Sequence, residues 1–477
     1  MVVSPVGAVP KDLTDVRPIH HLSAPRNNSG ISVNNTLKEE YKTVRYVSFK
    51  EIVEIAYSAG KGGYIWAADA ADAYLRVPVN KRDWKFLGIR WNDHYFILTC
   101  LPFGLSSSCL IYTLFADAIE WVVVHHNSNI SHGICNNKHI QVLRHYLDDF
   151  VGAHPNKQVA QAQFDALISW FNKLNIPTRD KKCSPPATAQ KILGSIFDTV
   201  TQTVRLPKDK AEKYSAAINS ILIAAKRRKR IAKKDLQSVN GKLRFAARHI
   251  WCGATYCRAL EERINSTKDN GYTRLNKQIC ADLQWWLSVL PKLSVGIPFE
   301  YILYPRKNCK YTMWTDAFVN STTAGIGGYN CQGQYFQHIF DLKKDFKTVK
   351  KPDINWFEMA AVVIALIIWG NNYINSSVYV WCDNGATVGQ ISKRSAPFKR
   401  SDLMKLIRLV TKNSIQTGYH FYIDQIPGKT NKTADALSRF FKKPFKFLSK
   451  QIRAKIDKKP TCCVSGVISC VNSFCSV

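Results

Sequence analysis

Two acids stand side by side in a stretch that its apolar neighbours would otherwise bury: Tyr146-Leu147-Asp148-Asp149 lies between Val142-Leu143 and Phe150-Val151. Burying adjacent carboxylates is costly unless something cationic offsets them. The chain is therefore expected to turn sharply here and leave both acids at the end of a hairpin, within reach of a cation. Earlier, Trp66-Ala-Ala-Asp69-Ala-Ala-Asp72-Ala-Tyr74 runs from an apolar strand into a turn and puts Asp69 at a strand end. Oxygen ligands from separate strands suit a pair of divalent ions in phosphoryl transfer, one activating the attacking hydroxyl and the other steadying the leaving group. Taken alone, Asp148-Asp149 reads equally well as a solvated turn.

Four more acids recur later: Asp316 in Tyr311-Thr-Met-Trp-Thr-Asp-Ala, Glu358 at the start of an apolar helix, Asp383 in Val380-Trp-Cys-Asp-Asn, and Asp435 in Thr433-Ala-Asp-Ala-Leu-Ser. Two follow strands and two sit on helices. Singly each has a plain reading, Glu358 as a complement to the positive end of a helix and Asp435 as a solvated helical residue.

The pattern between these sets divides the chain. Residues 1–207 mix strand-like segments at 64–68, 95–100 and 142–146 with helical spacing at 158–174, an α+β pattern. Over 208–305 amphipathic helices dominate, at 211–225, 234–249 and 276–290. Strands return over 306–440, at 311–315, 325–329 and 378–382, around a helix near 358–370, a second α/β unit. Residues 441–477 read as an irregular basic tail, in which Cys462, Cys463, Cys470 and Cys475 fit no familiar zinc-ligand spacing.

Charge bears on the partner. Sixty-seven Lys plus Arg against 35 Asp plus Glu leave +32, spread along the chain. Such an excess favours a polyanion held by sequence-independent phosphate contacts, although ribosomal and membrane-surface proteins share it. Lys226-Arg-Arg-Lys-Arg230 with Lys233-Lys234 suits a nucleic-acid backbone, and reads also as a nuclear import signal or a solvated helix face. The start of the chain has no apolar core of signal-peptide length, and the longest strongly apolar run, 359–369, is too short to span a bilayer. Fourteen scattered Cys form no disulfide framework. An intracellular location, cytoplasmic or nuclear, with no membrane partner, is the expectation.

The order Asp69-x-x-Asp72-Ala73-Tyr74, then Leu101-Pro102-Phe103-Gly104-Leu105-Ser106, then Tyr146-Leu-Asp-Asp149 resembles the palm motifs of reverse transcriptases. Ser4-Pro5-Val6-Gly7-Ala8-Val9-Pro10-Lys11 with Val16-Arg17-Pro18-Ile19 resembles their fingers, and Ile192-Leu193-Gly194 their primer-grip turn. The four later acids, the glycine-bearing 325–329 stretch and Ile426-Pro-Gly-Lys-Thr-Asn-Lys-Thr-Ala-Asp-Ala-Leu-Ser-Arg439 resemble ribonuclease H. The loop 427–433 lacks the histidine often found there in cellular and retroviral relatives, and the Pro427-Gly-Lys and Ala434-Asp-Ala-Leu-Ser-Arg439 pattern looks more like retrotransposon enzymes of the gypsy and DIRS groups. Leu236-Gln-Ser-Val-Asn-Gly-Lys-Leu-Arg-Phe-Ala-Ala-Arg248, with Trp251-Cys-Gly-Ala and Arg258-Ala-Leu, resembles the thumb and connection of DIRS-like elements.

That resemblance implies a multidomain α+β chain: a right-hand polymerase palm and fingers (1–207), a helical thumb and connection (208–305), an α/β ribonuclease H-like domain (306–440) and a basic tail (441–477). It implies RNA-directed DNA synthesis and cleavage of RNA in the RNA–DNA hybrid, with two Mg2+ per site, Mn2+ substituting. The partners would be an RNA template, a DNA primer, the hybrid and deoxynucleoside triphosphates. Asp69, Asp148 and Asp149 would be the metal-binding acids of the first site, and Asp316, Glu358, Asp383 and Asp435 those of the second. Tyr74 would screen the sugar, beside Asp72 and Ala73 at the incoming nucleotide; as a plain reading it is a core tyrosine. Arg17 and Lys11 would grip the triphosphate, and Lys182, with Lys181 an equal neighbour, would assist pyrophosphate departure. Gly104 would mark a close backbone approach that a Cβ would block. The fingers motif begins so near Met1 that family residues preceding it are expected to be missing. No aspartic protease motif and no room for an integrase or recombinase are visible. A different-class reading is a domesticated or decayed nucleic-acid-binding protein that kept the fold; a third is ribonuclease H activity alone.

Overall fold

The computed structural model describes residues 1–10, 16–25, 30–126, 132–135, 138–179, 182–303, 309–346, 352–370, 372–374, 376–397 and 399–439. The 441–477 tail lies outside them. The chain forms two compact units: Met1–Pro207 with Gly296–Phe299, and Lys208–Val295 with the residues from Glu300 onward.

The first unit is built on a four-stranded antiparallel sheet, in the order Ser184–Ala187, Tyr64–Asp69, Asp149–His154, Leu143–Tyr146. Trp66 faces Gly152 across the central pair, and a Cβ at Gly152 would lie 2.2 Å from the indole. The glycine makes room for the ring, whose Nε1 donates to Gln163 at 3.0 Å. Helices pack on this sheet with helical spacing: Ser108–His126 buries Tyr112, Ala116, Ile119 and Val123, and Lys157–Lys173 buries Ala160, Phe164, Leu167 and Phe171. Phe49–Ser58 starts at a capping box, with the Ser48 hydroxyl accepting from Glu51 N and the Glu51 carboxylate from Ser48 N, and buries Ile52, Val53, Ile55 and Ala56.

Helix Ser108–His126 was not expected from the sequence, because Asp117, Glu120 and the two terminal histidines break up its apolar run. Among the described residues it is the one helix long and apolar enough to cross a membrane. The strand expected over 95–100 is shorter, His94–Ile97, because the residues after it bond elsewhere: Cys100 bridges to Pro78, and Leu101 N donates to Val77 O.

The second unit holds a five-stranded sheet, in the order Tyr335–Asp341, Thr323–Asn330, Cys309–Val319, Ser377–Cys382, His420–Gln425. The first three strands are antiparallel and the last two run parallel to the central one. Helix Ile354–Gly370 is buried on nearly every side, as its apolar sequence requires, between the sheet and helix Ser401–Thr417. It begins at Ile354, where Asp353 Oδ1 accepts from Trp356 N, so Glu358 sits in the second turn and not at the helix start as the sequence suggested.

Helices Lys208–Lys226, Lys233–Ala247, Arg258–Ser266 and Lys277–Leu293 belong to the same unit as this sheet. Arg408 of Ser401–Thr417 grips the buried Asp282 of Lys277–Leu293 through both oxygens, at 2.5 and 2.8 Å. The buried Arg394 lays its guanidinium 3.6 Å from the Phe421 ring and 4.7 Å from that of Trp251. The Arg408–Asp282 and Arg394–Trp251 pairs join segments more than a hundred residues apart in sequence.

Helix Lys432–Ser438 lies directly on the glycine strand Thr323–Asn330: a Cβ at Gly327 would stand 2.4 Å from Ser438 N and one at Gly325 2.0 Å from Ser438 O. Backbone meets backbone there, and no flexible side chain can give way. Gly327→Ala is therefore expected to lift the helix and destabilise this unit by about 1–3 kcal/mol, the usual cost of overpacking. Thermal unfolding checks it; an unchanged midpoint would mean that the helix has room to move.

Candidate active sites

Antiparallel pairing sets Asp69 at the end of Tyr64–Asp69 opposite Asp149 at the start of Asp149–His154. Asp148 lies in the turn that joins Leu143–Tyr146 to Asp149–His154, where Leu147 adopts φ +52° and Asp148 O accepts from Ala70 N at 2.9 Å. The three carboxylates thus meet at one end of the sheet's central pair of strands. Asp69 is 1% exposed; its Oδ1 is 2.5 Å from Lys182 Nζ, whereas its buried Oδ2 has no hydrogen-bond partner. Burial, then the charges of Asp148 and Asp69, push Asp149 up to about 6, against the pull of Lys182. Crowded oxygens with one buried oxygen left unbonded fit a hard divalent cation.

Beside these acids is a cavity of about 590 Å³ lined in part by Asp72, Ala73, Tyr74, Gly104, Asp148 and Lys182. Six residues singled out from the sequence, drawn from four separate segments, share one wall. Tyr74 both lines the cavity and packs in the core, with its ring centroid 5.0 Å from Phe103 and 5.7 Å from Tyr112. Gly104 has φ +115°, and a Cβ there would fall 1.8 Å from His20 O. What demands glycine is thus the chain's own backbone. Asn34 fastens this loop, donating to Gly104 O and accepting from Ser106 N. Lys11 and Lys181 lie outside the described residues. Arg17 is described by its backbone alone, in the strand Val16–His20 whose Val16, Pro18 and Ile19 line the same cavity.

Two cavity residues escaped the sequence reading. Arg179 Nη2 is 3.0 Å from Oδ1 of Asp72, itself held at φ +54°; the only signal was a basic run after Pro177. Cys109 Sγ lies 3.0 Å from the Tyr74 hydroxyl, and nothing in the sequence pointed to it. If Tyr74 screens the sugar, Tyr74→Ala should shift the ratio of deoxynucleotide to ribonucleotide incorporation toward ribonucleotides by about tenfold or more, the scale of one relieved clash in a packed pocket. Competition assays read that ratio, and an unchanged value would leave Tyr74 as a core residue.

The four later acids also converge. Asp316 is on the central strand opposite Gly327, Asp383 directly follows Ser377–Cys382, Glu358 faces them from the buried helix, and Asp435 comes from Lys432–Ser438. Burial and the charges of Asp316 and Asp383 raise Glu358 to about 9. Asp316 is pushed up to about 7 by burial, opposed by the hydrogen bond from Ser438 Oγ at 2.6 Å and reinforced by Asp383 and Asp435. Burial raises Asp383, and Asp435 adds to it. Arg439 Nε meets Asp435 Oδ1 at 2.7 Å. Cys382, missed in the sequence, contributes a thiol 3.7 Å from Glu358 Oε2, and ligand atoms of Glu358, Cys382 and Asp383 lie within 4.8 Å of one another. Acids crowded together from two strands and two helices, with Asp316, Glu358 and Asp383 raised, again suit a cation. In the loop where relatives often carry histidine, Gly428 stands against Asp383, a Cβ there lying 3.2 Å from Oδ2.

Residues 9–197 match the family described as reverse transcriptase (RNA-dependent DNA polymerase), so the chain carries a domain of that class. Among solved structures it is similar to the foamy viral protease-reverse transcriptase dRH in complex with ds DNA, at 15% identity and TM-score 0.46, over 88% of this chain and 65% of that one. The foamy viral protease-reverse transcriptase in complex with RNA/DNA hybrid is similar at 16% identity and TM-score 0.49, over 88% of this chain and 50% of that one. The chain therefore spans half to about two thirds of the length of these relatives. No curated protein sequence matches it.

Proposed function

We propose that this chain is an RNA-directed DNA polymerase with a second, ribonuclease H site, serving the replication of a DIRS-like or gypsy-related retrotransposon. What carries the reading is the convergence of Asp69, Asp148 and Asp149 at the end of the sheet's central strands, beside a cavity that also receives Tyr74, Gly104 and Lys182. The matched family over residues 9–197 supports the polymerase half. For the nuclease half, support comes from the four gathered acids and from a sheet whose first three strands are antiparallel and last two parallel to the centre. The origin in a retrotransposon rests on the Pro427-Gly-Lys and Ala434-Asp-Ala-Leu-Ser-Arg439 motifs, and an intracellular setting goes with it.

In the first site Asp69, Asp148 and Asp149 would hold the divalent ions. Mg2+, or Mn2+ in its place, supplies activation of the primer 3′-hydroxyl and neutralises charge on the leaving pyrophosphate. Lys182, now paired with Asp69, stands where its ammonium can turn to the departing phosphates. Tyr74 sets the floor of the sugar pocket through Phe103 and Tyr112, and a 2′-hydroxyl would strike its ring. Arg17, Lys11, Asp72 and Ala73 would meet the triphosphate side. In the second site Asp316, Glu358, Asp383 and Asp435 would hold the ions that cleave RNA in the hybrid. Ser438 and Arg439 orient Asp316 and Asp435 by direct bonds. The exposed run Lys226–Arg230 offers backbone contacts to the template–primer.

Primer extension on an RNA template with Mg2+ and labelled deoxynucleotides tests the reading. Extension that needs both template and metal is expected; none with either Mg2+ or Mn2+ would overturn it in favour of a binding protein.

A further inference from the structure

Among the described residues, the hairpin made by Gly88–Trp91 and His94–Ile97 is a two-stranded sheet, met only at Gly88 by a single bridge to Val3. Such a hairpin is marginally stable alone in water. This one nevertheless exposes Trp91 (64%), Tyr95 (59%), Phe96 (49%) and Ile97 (45%). Three of the four are aromatic. Register places Trp91 opposite His94 and Ile89 opposite Phe96, so these four share one face, on which the His94 and Phe96 rings are 6.4 Å apart. On the other face the Arg90 guanidinium lies 5.9 Å from the Tyr95 ring and pairs with Asp93 at 2.6 Å, so the cations left for phosphates are those just before the hairpin. Just before the hairpin, Lys85 Nζ stands 5.2 Å over Phe86, and Lys81 and Arg82 are exposed.

We propose that this hairpin is a stacking platform for unpaired bases of single-stranded RNA. Exposed rings interleaved with cations fit that occupant better than a second copy of the chain: rings offer π faces to any base, and cations meet the phosphates between bases, whereas two such hairpins would oppose their own like charges. The base of the hairpin leads to the first cavity. Val79 N donates to Thr99 O, Leu98 N to Leu87 O and Leu101 N to Val77 O, and Phe103 and Gly104, two and three residues further on, line the cavity wall. An unpaired template strand resting on the rings would thus be led along a continuous surface of the same unit. The choice of RNA rests on the polymerase reading; the binding does not, since it is measured without catalysis.

The test compares Trp91→Ala/Phe96→Ala, Trp91→Leu/Phe96→Leu and Trp91→Phe/Phe96→Tyr in the full chain. The probes are labelled single-stranded RNA, a blunt RNA–DNA hybrid, and that hybrid with a 5′ RNA overhang, all at matched salt. The Ala and Leu variants are expected to bind single-stranded RNA and the overhung hybrid about tenfold or more weakly, with blunt-hybrid affinity and the salt slope kept, because stacking releases no counterions. The Phe/Tyr variant should retain binding. Unchanged affinity in the Ala variant, or full affinity in the Leu variant, overturns the proposal. So does equal loss on the blunt hybrid in both, or a wild-type dimer that sedimentation shows falling apart in the variants, which would give the face to a second copy. Intact platform binding without primer extension would sink the polymerase reading and leave this one standing.

Discussion

Asp148→Asn is expected to abolish DNA synthesis on an RNA template while template–primer binding stays near wild type. The substitution swaps one carboxylate oxygen for an amide in the turn between Tyr146 and Asp149 and leaves untouched the backbone bond from Ala70 N to Asp148 O that shapes it. Loss of an essential ligand should remove about 4 kcal/mol or more of transition-state stabilisation, on the order of a thousandfold in rate. It also removes a charge that pushes Asp149 up, so the remaining acids gather less negative charge for a cation. Single-turnover extension and filter binding on one preparation separate the two effects. Extension at the wild-type rate would mean that the three acids are a structural cluster and not a reaction centre.

Asp383→Asn should stop cleavage of RNA in a hybrid by a similar factor and leave primer extension nearly unchanged. Asp383 belongs with Asp316 and Glu358, whose proton affinities it helps raise, and all three are in the second compact unit, whereas Asp69, Asp148 and Asp149 are in the first. Units with their own cores tolerate local changes independently. The variant also relieves repulsion around Glu358, so thermal stability should hold or rise, which separates lost chemistry from lost fold. Both activities are to be measured on both variants at matched salt. If either variant, still folded, lost both activities, two sites would have been drawn where the protein has one.

Both carboxylate sets stand out in the sequence through the order of their motifs, with a physical hint beneath: an acid beside an apolar strand or helix is costly to bury, and Asp69, Asp148, Asp316 and Asp383 all stand beside such segments. The glycine strand was legible as a pattern, but its purpose came only with Ser438, whose backbone it meets more than a hundred residues later. Arg179 and Cys109 were invisible because their partners, Asp72 and Tyr74, are fixed by tertiary folding. The grouping of the 208–305 helices with the following sheet in one compact unit has no local signal, since nothing in the sequence marks the Asp282–Arg408 pair or the stacking of Arg394 on Trp251. Gly104 was read as making room for a ligand, where the neighbour that demands it is His20 O.

The short strand Ile297–Pro298 completes the first unit by pairing with Thr203–Val204, although the helices of the second unit intervene in the chain. A ribosome must therefore finish those helices before the first unit can close its own sheet. Cutting the chain at Pro207, where the sequence suggests a natural border, would leave the Thr203–Arg205 edge with open N–H and C=O groups. An open edge recruits strands from other molecules, so such a fragment would be prone to self-association even with every carboxylate of its site intact.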